Sequence, residues 1–276
     1  MDFRTSRRKI ILFALALVIL LLAGVAALHH AHSRRIRMLA MLFDPTTKCG
    51  VTATNGIQRT YATSFPLTEN PISEQGNWIV SGGDFASVRT ISGLAFGTQT
   101  GTRTAPAKYD DSTALLTGSW GTDQFVQIVV HYDGAPTDSD YDEVEIRLRS
   151  AISAKSNTGY EINCRVGRPG MEGYIQVGKI NGPIGDFSGS FDERYGIDYA
   201  CHDGDVLTAT IVGTTLTAYI NARQVLQAND STYSAGAPGI GFYHEKTQAQ
   251  NSDFGISRVI ASDRVPWLGE STPPCE

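Results

Sequence analysis

The sequence predicts an all-β body behind one N-terminal membrane-spanning helix, and three observations carry that prediction. Residues 10–28 (IILFALALVILLLAGVAAL) run nineteen positions without a charged or strongly polar side chain. Beyond residue 50 no stretch of a dozen residues sets apolar side chains at helical spacing, whereas apolar/polar alternation with period two recurs. Gly, Asp, Asn and Pro interrupt that alternation at intervals of about ten residues, as turns between strands do.

The apolar run comes first. At about 1.5 Å per residue it spans about 30 Å, the hydrocarbon thickness of a bilayer. Arg4, Arg7, Arg8 and Lys9 precede it and Arg34, Arg35 and Arg37 follow, which favours a cytoplasmic N-terminus and an extracytoplasmic body. A cleaved signal with an exit near Gly24-Val25-Ala26-Ala27 stays open beside the uncleaved anchor, as does a plain buried helix. The run lacks the glutamate of a type IV pilin start. The chain thus divides into a basic tail at 1–9, a signal anchor at 10–28, a juxtamembrane stalk at 29–48 and a β-domain at 49–276. Uncleaved, it is a single-pass membrane protein with the lipid bilayer as a partner through 10–28; cleaved, it is secreted.

The net charge of −5 hides an asymmetry. Residues 1–37 hold seven Lys/Arg against Asp2, so the remainder carries sixteen positive and twenty-seven negative groups, a net −11. A body this acidic offers no footprint for nucleic acid.

Several strands are legible. Gln124–Tyr132 (QFVQIVVHY) is rich in β-branched and aromatic residues. In 141–149, Val144, Ile146 and Leu148 share one face, while Glu143, Glu145, Arg147 and Arg149 share the other. In 159–166, Tyr160, Ile162, Cys164 and Val166 fall together. Val206–Val212, then Gly213-Thr214, then 215–221 reads as a hairpin with Leu207, Ala209 and Ile211 inward. Shorter strands fit at Trp78–Val80, 93–96, 174–179, 239–243 and 254–260. Ten or more strands in roughly 230 residues make a sandwich or a barrel.

Cys49, Cys164, Cys201 and Cys275 all follow the apolar run, an even number suited to an oxidising compartment. No CxxC occurs, and four cysteines allow three pairings.

The second half of the chain resembles a family. Its order is VEIRLR, then GY opening the next strand, then GDVLTATIVGTTLTAYINARQVLQANDSTYSAGAPGIGF, then SDFGISRVIAS. This resembles the concanavalin A-like lectin/glucanase sandwiches, the laminin-G-like and related jelly rolls, through Gly204, Leu207, Gly213, Leu216, Tyr219, Asn221, Asp230, Gly236, Gly239, Asp253 and Phe254. Ala222 departs from the pattern, since the family has glycine in that turn. The resemblance covers about residues 65–262 and implies an antiparallel two-sheet jelly-roll sandwich. It also implies adjacent first and last strands, hence a Cys49–Cys275 bridge, which leaves Cys164 with Cys201.

For chemistry, Glu143 and Glu145 stand two apart on one face, as a glycosidase acid/nucleophile pair does. A third acid would fall at Arg147, so an ion-paired, solvated or sugar-facing polar row fits better. Asp138, Asp140 and Asp142 hint at calcium, yet Glu143 stands where an EF-hand has glycine and Arg149 where it has glutamate. No HExxH, GxSxG or phosphate-binding loop exists, and no cofactor beyond a structural calcium is expected. Trp78, Tyr109, Trp120, Tyr219 and Tyr243 are candidate rings for sugar stacking, with Trp78 assigned to the core. The expected ligand-binding set is Trp120, His131, Glu145, Arg147 and Tyr219. The leading reading is a membrane-anchored, extracytoplasmic glycan-binding or adhesive module. A polysaccharide hydrolase or lyase using Glu143 and Glu145, with His131 or Arg147 assisting, and a structural surface domain without ligand are its rivals.

Overall fold

The computed structural model describes residues 59–83, 85–99, 111–134, 141–183, 187–244 and 251–264, with backbone alone over 187–191. The anchor at 10–28, the stalk at 29–48, Cys49, Tyr109, Asp138, Asp140 and Cys275 lie outside these residues.

Two antiparallel sheets make up the body. The eight-stranded sheet runs β13 (Arg223–Asn229), β12 (Thr215–Ile220), β11 (Val206–Val212), β6 (Gln124–Tyr132), β15 (Phe254–Ser262), β4 (Leu94–Gly97), β3 (Val88–Ile91). β1 (Thr60–Thr63) also pairs with β15, Thr60 opposite Ser262, so the first and last described strands lie side by side as expected. The seven-stranded sheet runs β10 (Phe187–Gly196), β9 (Gly173–Gly182), β8 (Ser156–Arg165), β7 (Asp142–Ser153), β14 (Ala237–His244), β5 (Ser112–Leu116), β2 (Trp78–Val80).

The alternation read from sequence closes the core between them. Val126, Ile128 and Val130 of β6, Val144, Ile146 and Leu148 of β7, and Leu207, Ala209 and Ile211 of β11 are all buried in one cluster. Trp78 belongs to it, its indole N–H bonded to the Glu74 carboxylate. Sequence alone misses β1, β3, β5, β10 and β13. β5 (STALL) is buried at every position and so shows no alternation. β10 carries two register shifts against β9.

One expectation fails within β7. The ladder to β8 slips between Leu148 and Ala151, and Arg149 takes φ 46°, so strict alternation ends there. The Arg149 side chain leaves the Glu143–Glu145–Arg147 row and donates to the carbonyls of Thr122, Tyr233 and Gly213. Thr122 and Gly213 border strands of the other sheet, so this arginine ties the two sheets at one end.

Cys164 on β8 is bonded to Cys201, with Cα atoms 6.0 Å apart and a separation of 37 residues. A loop of that length is worth roughly 4 kcal/mol in the chain-entropy account.

The β12–β13 turn explains the departure at Ala222. Asn221 and Ala222 take φ 50° and 64°, a two-residue turn in which both positions are left-handed. Asn221 suits this, bonding the Val206 amide and Asp205, but Ala222 bears the Cβ penalty that glycine escapes. Ala222→Gly is expected to stabilise the domain by about 0.5–1 kcal/mol, raising Tm by a few degrees in a thermal melt.

Candidate functional site

The outward face of the seven-stranded sheet carries the chemistry. Register sets Glu143, Glu145 and Arg147 of β7 opposite Arg165, Asn163 and Glu161 of β8. On the other flank they meet Tyr243, Gly241 and Gly239 of β14. Asp111 lies just before β5. Glu143, Glu145, Arg147 and Glu161 are all buried, which corrects the expectation of a solvated row.

Arg147 is the hub. Its guanidinium donates to the carboxylates of Glu145 and Glu161, and to Asp111 at 3.4 Å. It reaches them because β14 offers glycine: a Cβ on Gly241 would collide with the Glu145 carboxylate and stand 2.7 Å from Arg147 Nε. The carboxylates of Asp111, Glu145 and Glu161 converge closely enough to hold a metal ion. Arg147 is bonded to all three and supplies the positive charge there.

The charges do not balance. Asp111, Glu143, Glu145 and Glu161 are four acids; Arg147 and Arg165 are two cations. Burial pushes the Glu143 carboxyl well above its usual range, and the Glu161 charge adds to this. Burial likewise pushes Glu145 up, outweighing the pull of Arg147. Those three carboxylates hold the Arg147 proton more tightly than usual, overcoming the opposing effect of burial. Glu143 accepts a hydrogen bond from the Tyr174 hydroxyl, which burial and Glu143 itself keep protonated.

Tyr174 leads to the surface. Its ring packs 6.3 Å from Tyr141 and 5.9 Å from Tyr195, and those two are 39% and 60% exposed. Gln176 donates to the Glu193 carboxylate and the Tyr195 hydroxyl at 3.3 Å each. Arg165 lies 4.8 Å over the Tyr141 ring and donates to the Glu172 carbonyl. A ledge of three tyrosines, bordered by an amide and a carboxylate, thus rises from the buried network.

The other predicted site residues lie elsewhere. His131 sits on the outward side of β6, in the opposite sheet, 3.4 Å from Asp203, so it cannot assist Glu143 or Glu145. Tyr219 is on β12 of that same sheet. Trp120 is half-buried against the core, with the Arg59 guanidinium 4.4 Å over its ring. Asp142, from the calcium candidate, is buried and bonded to His244 Nδ1 at 2.7 Å. Tyr243 is buried opposite Glu143. Tyr141, Tyr174, Tyr195 and Gln176 carry no local signal because they come from the segment before β7, from β9 and from β10; only cross-strand register assembles them.

No protein-family model matches the chain, and comparison with curated proteins returns no match. Solved structures do align with it. A carbohydrate-binding module, CBM66 from Bacillus subtilis, is 17% identical, covering 69% of this chain and 94% of its own, with a TM-score of 0.45. The metal-free carbohydrate recognition domain of Emp46p is 13% identical, covering 74% and 95%, with a TM-score of 0.47. Sheep galectin-11 is 9% identical, covering 57% and 99%, with a TM-score of 0.37. All are concanavalin A-like jelly-roll lectin folds.

The raised carboxyls set a pH dependence. An acid whose pKa is higher folded than unfolded contributes stability that is full below its unfolded value, about 4.3. That contribution is lost as pH rises through the folded value. Wild-type stability, measured by denaturant unfolding, is therefore expected to fall as pH rises above the ordinary glutamate range. Glu143→Gln, which keeps an acceptor for Tyr174, is expected to flatten that slope.

Proposed function

We propose that this chain is a membrane-anchored glycan-binding module, held at a membrane by residues 10–28 with its β-domain on the extracytoplasmic side. The ledge of Tyr141, Tyr174 and Tyr195 carries the reading. The apolar face of a pyranose stacks on exposed rings, and its hydroxyls need acceptors and donors beside them. Tyr195 and Tyr141 offer the rings, and Gln176 and Glu193 offer the polar partners. Because Tyr174 is bonded inward to Glu143, the middle ring is fixed before a ligand arrives, which lowers the ordering cost of binding.

Glu143 and Glu145 serve in this reading as supports. Both are buried and bonded within the protein, and neither presents a carboxylate to solvent across the ledge. The basic residues on both sides of 10–28 support the anchor, and the cysteines beyond it agree with export.

A glycan array probed with the detergent-solubilised full chain tests this. Tyr195→Ala is expected to weaken binding of any captured glycan by about tenfold or more, with Tm unchanged because the ring is exposed. Binding unaffected by Tyr195→Ala would move the site elsewhere, and no binding across the array would favour a structural surface domain.

A further inference from the structure

The charges around the tyrosine ledge define the kind of sugar it accepts. Glu193 stands exposed at the rim, two residues before Tyr195 on the same side of β10, and receives the Gln176 amide. Beneath the ledge lie Glu143 and, further along the row, Glu145, Glu161 and Asp111. Three nearby arginines, Arg147, Arg165 and Arg194, are committed. Arg147 is buried among three carboxylates, and Arg165 is bonded to the Glu172 carbonyl and laid over Tyr141. Arg194 pairs across from core-facing Ile175, so it sits on the other side of β10, bonded to Asp192 and the Glu193 carbonyl.

Recognition of a sugar carboxylate or sulfate calls for a forked arginine or a lysine aimed at the ligand. Among the described residues, the Tyr195 end of the ledge, where Glu193 stands, offers the ligand a ring face, an amide and a carboxylate instead, while exposed Arg168 lies in the β8–β9 turn. We infer that the ledge takes uncharged pyranose units and rejects anionic ones, with Glu193 as the specificity-determining residue. This rests on the glycan-binding reading above and adds the charge class of the ligand. The carboxylate accepts from sugar hydroxyls, as a neutral ligand allows, and repels a uronate or sulfate at the same place.

The test compares matched oligosaccharides on the full chain: neutral gluco-, galacto- and mannopyranose series, and their uronate or sulfated counterparts. At low salt the neutral member of each bound pair is expected to bind at least about tenfold more tightly. Raising ionic strength to about 0.5 M is expected to narrow the gap, because the penalty on the anion is screened. Glu193→Lys, at an exposed position that leaves Tm unchanged, is expected to reverse or abolish the preference. Equal or tighter binding of the anionic partners overturns the inference while leaving glycan binding intact. A preference unchanged in Glu193→Lys overturns the role of Glu193. Failure of every member of both series to bind overturns this inference together with the glycan-binding reading.

Discussion

A guanidinium with no access to water governs the outward face of the seven-stranded sheet. Taking an arginine out of water costs several kcal/mol, and the residue cannot shed its proton to escape that cost. Its neighbours must therefore be acidic, and Glu145, Glu161 and Asp111 surround it. Burial and the neighbouring acids in turn raise the carboxyls of Glu143 and Glu145 well above their usual range. Glu143 accepts the Tyr174 hydroxyl and so anchors it, and Tyr174 braces the two exposed rings beside it. One buried charge so dictates glycine on β14, acids on β7 and β8, and the posture of a surface ledge.

The ends of this face are secured by different means. Beyond Leu148 the bulge turns Arg149 away and spends its guanidinium on three carbonyls, two of them at the border of the other sheet. At the opposite end of β8, the Cys164–Cys201 bridge ties the strand to the segment leading into β11. The polar row is thereby limited to the few rungs around the Arg147 cluster. A longer row of alternating charges would leave more buried polar groups than hydrogen bonds to meet them.

Much of the fold was legible because one rule, alternation with period two, governs strands that bury a single face. The sequences of β7, β8 and β11 show it, and so their core-facing residues could be listed in advance. The rule is silent for β5, buried on both sides, and it breaks at the Arg149 bulge. The Glu143–Glu145–Arg147 row was visible as a row; its burial was not, because burial depends on neighbouring strands far away in sequence. His131 and Glu145 look equally polar along the chain, yet sheet order sets them in opposite sheets. The tyrosine ledge had no local signal at all, since its rings come from the segment before β7, from β9 and from β10.

The caged arginine is most directly tested by following the side-chain carboxyl carbons of Glu143 and Glu145 by NMR across pH in the folded chain. Both are expected to titrate well above the ordinary glutamate range near 4.3. Ionisation of both within that ordinary range, in a protein that stays folded, would contradict a buried excess of acid held around Arg147.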